Sequence, residues 1–110
     1  MTDYSKTTVM IVDDEEDLRD VIAFDIEDAG FKILTASSGN KAIELLAKHK
    51  VDIIVSDIRM PDGDGVSLLN SIRKTEPNLP VVFFVSAFAD ISESSAKNLG
   101  AKALLKKPIN

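Results

Sequence analysis

Short unbroken apolar runs alternate along this chain with longer segments in which apolar residues recur every three or four positions. The runs predict five strands: Thr8–Val12, Ile33–Ala36, Asp52–Ser56, Val81–Val85 and Ala103–Lys106. Continuous rather than alternating apolarity suits strands covered on both faces. Between them lie helical patterns. The first is expected from about Glu16 to Ala29, with Leu18, Val21, Ile22, Ile26 and Ala29 facing inward and Gly30 as a left-handed cap. A second follows Ser38 and Gly39 with Ala42, Ile43, Leu46 and Ala47 inward. A third carries Val66, Leu69 and Ile72 and stops before Pro77. A fourth is expected over about Asp90 to Leu99, ended by Gly100. Strand–helix alternation of this kind implies right-handed crossovers and a parallel sheet in one α/β domain spanning residues 1–110.

Composition narrows the function classes. A net charge of −5 argues against direct nucleic-acid binding, which needs a basic footprint. No apolar stretch approaches the roughly 18 residues of a membrane span, and Val81 to Val85 has only the length of a buried strand. Met1 to Lys6 does not resemble a secretory signal, which predicts a cytoplasmic chain without a membrane partner. With no cysteine there is neither a disulfide nor a thiolate metal site.

The chemistry gathers where strands end. Asp13 and Asp14 close the first apolar run and Asp57 closes the third. Ligands of an open parallel sheet bind beyond the carboxyl ends of its strands, so these three carboxylates are expected to share one crevice. Like charges that close repel, and a hard divalent cation such as Mg2+, which takes oxygen ligands, relieves the repulsion. Ser86 follows Val81–Val85, and Lys107, before Pro108, follows the last strand. Asp62 and Asp64, interleaved with Gly63 and Gly65, mimic part of a calcium loop but lack its spacing and closing glutamate, and read as a turn. Glu15, Glu16 and Asp17 suit the first turn of a helix, and His49 is expected to be solvated.

The acidic pair, the stretch Asp57-Ile58-Arg59-Met60-Pro61-Asp62-Gly63-Asp64-Gly65 (D-x-x-M-P-x-x-x-G), the Ser86-Ala87 pair and the Lys107-Pro108 pair occur in that order. Together they make the chain, from Val9 to Pro108, resemble a receiver domain of two-component response regulators. The resemblance implies a doubly wound, flavodoxin-like sheet of order 2-1-3-4-5. It implies that Asp57 accepts a phosphoryl group from a sensor histidine kinase or phosphotransfer protein. Asp14 would hold Mg2+ directly, Asp13 through water, and the backbone carbonyl of Arg59 would complete the ligands with Asp57. Lys107 would pair with phosphoryl oxygens, and Ser86 would hydrogen-bond the phosphoryl group once it arrives and draw its loop inward. The domain would assist its own phosphorylation and dephosphorylation without turning over a free substrate.

Two departures change the expectation. Leu104 stands where many receivers carry an aromatic residue that reports the switch. Only Ile109 and Asn110 follow Pro108, where the family continues into a fifth helix; four helices are therefore expected and, if the end of the chain is natural, a homodimer through the uncovered face near Ile53, Val55 and Val82 or a groove there for a foreign helix. Asp25, inside the apolar arc of the first helix, fits a flank open to water. The alternatives are a phosphorylation-independent dimerisation or kinase-binding module, and a Mg2+ phosphohydrolase or topoisomerase-primase-like enzyme. The enzyme readings lack their motifs: Asp13-Asp14-Glu15 is not an aspartate-x-aspartate nucleophile, and no glutamate closes an early strand.

Overall fold

Parallel pairing of the apolar runs generates the architecture. A computed structural model of the chain describes residues 4–58, 60–76, 80–86 and 92–106. The elements run β1 (Thr8–Val12), α1 (Glu16–Asp28), β2 (Lys32–Ala36), α2 (Gly39–Leu46), β3 (Ile53–Asp57), α3 (Gly65–Thr75), β4 (Val81–Ser86), α4 (Glu93–Asn98) and β5 (Ala103–Lys106). The strands form one parallel sheet in the order β2-β1-β3-β4-β5. The expected doubly wound, flavodoxin-like order is therefore observed, with five strands and four helices among the described residues.

Local chemistry sets the helix ends. Ser38 Oγ accepts the Lys41 amide and caps α2, Asp64 does the same for Ser67 at α3, and Ser92 for Ser95 at α4. Gly30 and Gly100 follow α1 and α4 with φ of 110° and 107°, a conformation that glycine adopts without a Cβ penalty.

The sheet register divides the side chains between two faces. Met10, Val12, Ile54, Val82 and Phe84 are completely or almost completely buried, with Leu68, Leu69, Ile72 and Ala96 in the same cluster. Leu104 packs against that cluster from its edge. On the other face Val9 and Ile11 pack under Ile22 of α1, joined by half-buried Leu18, Ile26, Ile53 and Val55.

Four inward assignments are corrected, and one strand residue changes face; the first is Ala29, the C-cap of α1, which is exposed. Val21 is 58% exposed, because the buried stripe of α1 passes through Leu18, Ile22 and Ile26 instead. Ile43 and Ala47 are exposed on α2, while half-buried Leu45 takes part in the core. Val82 belongs to the covered face, so its neighbour Phe83 lies beside Val55 on the α1 side. Asp25 is exposed, as a flank open to water requires.

Candidate functional site

The two central strands, β1 and β3, are neighbours in the sheet although far apart in sequence, and both end in acid. Their pairing of Val12 with Ser56 brings Asp13 and Asp14 to the level of Asp57. Asp13, Asp14 and Asp57 each offer a carboxylate oxygen, and these oxygens all lie within 4.8 Å of one another. Asp13 is only 2% exposed, Asp14 is exposed, and Asp57 is half-buried. The sequence expectation that two strand ends deliver three carboxylates to one crevice is met.

Asp13 and Asp57 are held by local backbone. The Glu15 amide donates to Asp13 Oδ1 at 2.9 Å, an arrangement that turns the chain into α1. The Asp13 amide donates to the Ala36 carbonyl at 3.1 Å, and Arg19 Nη1 donates to the Asp13 carbonyl at 2.9 Å. The Ile58 amide donates to Asp57 Oδ1 at 2.8 Å. Ser56, completely buried, donates from Oγ to the Asp57 carbonyl at 2.9 Å. Behind it, a Cβ on Gly65 would collide with that same carbonyl, so α3 starts against Asp57 only because residue 65 has no side chain.

Three carboxylates this close, one of them out of water, suit a hard cation that prefers oxygen donors. The donor set therefore fits Mg2+. Placed on it, the ion would neutralise charge that the acids otherwise concentrate.

Of the remaining expected site residues, Ser86 ends β4, beside β5 in register with Lys106. Arg59, Lys107 and Pro108 lie outside the described residues, as does Phe88, two residues beyond Ser86. Glu16 and Asp17 occupy the first turn of α1, and His49 is exposed. Asp62 and Asp64 form a turn as expected, Asp62 with φ of 57°. Sequence reasoning gave no role to Ser56, Arg19 or Asp62. A serine inside an otherwise apolar strand was the available signal for the first.

Comparison with known proteins agrees with this geometry. The response regulator receiver domain family matches residues 9–110. Among curated relatives, the response regulator SaeR of Staphylococcus aureus (strain NCTC 8325 / PS 47) is 33% identical over 104 residues, covering 94% of this chain and 45% of that protein. The transcriptional regulatory protein GlrR of Escherichia coli (strain K12) is 29% identical over 102 residues, covering 93% of this chain and 23% of that protein. The chain thus spans less than half the length of these relatives. Among solved structures, a CheY-like receiver domain from Methanospirillum hungatei JF-1 superposes with a TM-score of 0.85 at 26% identity, over 94% of this chain and 83% of that one. A chain of the CheX–CheY–BeF3–Mg2+ complex from Borrelia burgdorferi gives 0.84 at 31% identity, over 94% and 80%.

Proposed function

Because the chain belongs to the response regulator receiver domain family, whose members are Mg2+-dependent phosphoacceptors rather than turnover enzymes, we propose that Asp57 is its phosphorylation site. The observation that carries this reading is the convergence of Asp13, Asp14 and Asp57 at the carboxyl end of the sheet. Receiver domains work with histidine kinases or phosphotransfer proteins, so the donor here is a phosphohistidine. Its N–P bond breaks as the bond from an Asp57 carboxylate oxygen to phosphorus forms, and the imidazole leaves. Asp14, Asp57 and the Arg59 carbonyl would hold Mg2+ directly and Asp13 through water, and the ion would supply positive charge for the phosphoryl oxygens.

The protein's own groups do the rest. The Ile58 amide fixes the direction of the Asp57 carboxylate, and Arg19 pins the backbone of the acid pair. Lys107 neutralises phosphoryl oxygens as a compact point charge. Ser86 bonds the phosphoryl group after transfer, and that new contact biases the loop after β4 toward the active position. Arg59 and Phe88 stand two residues beyond Asp57 and Ser86 in the sequence, and their bulk favours a slowly hydrolysing phosphoaspartate. Residues 1–110 act as one receiver domain in the cytoplasm, without direct nucleic-acid contact. No helix among the described residues is long and apolar enough to cross a membrane.

A homodimer through the α1 face is the partner reading that the exposures favour. On α1, Phe24 is 68% exposed and Val21 58%, Leu105 of β5 is 37% exposed, and Ile53, Val55 and Phe83 are half-buried. Exposed acids Glu16, Asp17, Asp20, Asp25, Glu27 and Asp28 line α1, while exposed Lys102 precedes β5 at the far edge of the sheet. A twofold axis sets acid against lysine twice. An interface of about 800 Å2 per partner is typical of stable complexes.

Intact mass after incubation with a small phosphodonor tests the function. One phosphoryl adduct should form with Mg2+, and not in chelator or in Asp57→Asn. Ser86→Ala should still accept phosphoryl, whereas Lys107→Ala should lose most of it. An adduct that survives Asp57→Asn would overturn the assignment.

A further inference from the structure

The loop between β3 and α3 is tied at its outer tip to the start of α2, a helix with no expected part in phosphoryl transfer. Ser38 Oγ donates to Asp62 Oδ2 at 3.1 Å, and Asn40 Nδ2 donates to Asp62 Oδ1 at 2.8 Å. Two backbone bonds run alongside: the Gly39 amide to the Gly63 carbonyl at 2.8 Å and the Asn40 amide to the Asp62 carbonyl at 3.3 Å. The contact is close. A Cβ on Gly39 would lie 2.6 Å from the Gly63 carbonyl oxygen, and one on Gly63 would lie 2.9 Å from the Asn40 nitrogen.

Asp62 itself holds a left-handed backbone, φ 57°, that a side-chain-bearing residue adopts at a cost. Aspartate tolerates it better than most residues, and here its carboxylate is used twice. The Asn40 bond first, then the Ser38 bond and the nearby Lys41 charge, draw the Asp62 carboxyl below its ordinary 3.8. So the bonding partners favour the ionised form.

The same loop reaches Asp57 at its inner end. The Gly65 amide donates to the Ile58 carbonyl at 2.8 Å and closes the loop, and the Ile58 amide donates to Asp57 Oδ1. Ile58 and Met60 anchor the segment in the core, at 5% and 8% exposure. A tether at Asp62 therefore limits how far the backbone that aims the Asp57 carboxylate can move.

We propose that Asp62 is a positioning residue, clasping this loop to Ser38 and Asn40 so that the Ile58 amide stays aligned with the phosphoacceptor Asp57. The proposal rests on Asp57 being that acceptor. It adds that the start of α2 is mechanically part of the site: loosening Ser38–Asn40 loosens the carboxylate.

Asp62→Gly keeps the left-handed backbone free of strain and deletes both side-chain bonds. Asn40→Ala removes one bond from the other side without touching the loop. In the metal-free 110-residue protein, hydrogen exchange at the Ile58 and Gly65 amides should accelerate in both variants, by roughly tenfold in Asp62→Gly, the equivalent of one hydrogen bond to a charged group. Exchange at Met10 and Ile54 in the sheet should stay unchanged. The Mg2+ concentration giving half-maximal phosphoryl uptake should rise by a similar factor, with Asp62→Asn recovering part of the loss. Unchanged Ile58 exchange in both variants, or a uniform rise that includes Met10 and Ile54, would overturn the clasp. The exchange arm needs no phosphodonor: a wild-type protein that accepts no phosphoryl group would count against the acceptor assignment, while the Ile58 amide still decides the clasp.

Discussion

The two faces of the sheet use the same five strands and end in different states. On the face covered by α2, α3 and α4 the central strands are sealed, with Met10, Ile54 and Phe84 at 0% exposure and Val12 and Val82 at 1%, while Leu34 and Leu104 on the outer strands are half-buried. On the α1 face burial is uneven, with Val85 near the end of β4 still at 1% exposure. Val9 and Ile11 under α1 are at 3% and 1%, Ile53, Val55 and Phe83 are half-buried, and Leu105 is 37% exposed. One helix covers the start of this face, and among the described residues nothing covers its far side. Apolar strand residues alone do not make a core. Among the described residues the first face is the more fully buried, and burial of that kind stabilises the fold.

Substitutions at adjacent residues of β4 expose the difference most strongly. Phe84→Ala should cost about 3–5 kcal/mol in urea unfolding, as expected for a fully buried phenylalanine. Phe83→Ala, half-buried on the other side, should cost less than about 2 kcal/mol. Equal losses would mean that the α1 face is sealed in solution.

A smaller effect follows on α1. Val21→Asp with Phe24→Asp should shift a sedimenting dimer to monomer, while changing the stability of a monomeric form by no more than about 0.5 kcal/mol per site. A monomeric wild type that binds no hydrophobic dye would remove the dimer reading, and would show that the open face is simply solvated.

The smallest contrast is in acid. Asp62, which links α2 to the loop before α3, has its carboxyl lowered, chiefly by the Asn40 hydrogen bond. The folded value lies below the unfolded one, so its stabilisation is present above about pH 4 and fades as pH falls through the folded value. Wild-type protein should therefore lose slightly more stability than Asp62→Asn below pH 4. Parallel acid curves would show that the bonds contribute nothing.

The strands and the acid cluster were legible because both depend on local order: an apolar run, then a carboxylate, repeated on two strands that a parallel sheet sets side by side. Expected strand limits differ from observed ones by one residue where they differ, as at β3, which includes Asp57 itself. Val21 was misread for a physical reason. A helical wheel places a residue relative to its own helix, whereas burial also depends on how much of the sheet lies beneath it. Ile43 failed in the same way. The partners of Asp62 were invisible because they sit 22 and 24 residues earlier, and only the folded approach of Gly39 to Gly63 joins them. Asp62-Gly63 did read correctly as a turn.

The central claim is that carboxylates from two strand ends form one cation site around the phosphoacceptor. Calorimetric titration with Mg2+, without phosphodonor, tests it most directly on wild type, Asp13→Asn, Asp14→Asn and Asp57→Asn. Each variant should bind Mg2+ more weakly than wild type, with the largest loss, roughly tenfold or more, in Asp14→Asn, the proposed direct ligand. Unchanged affinity after neutralising Asp14 or Asp57 would mean that the acids near one another in space do not act as one site.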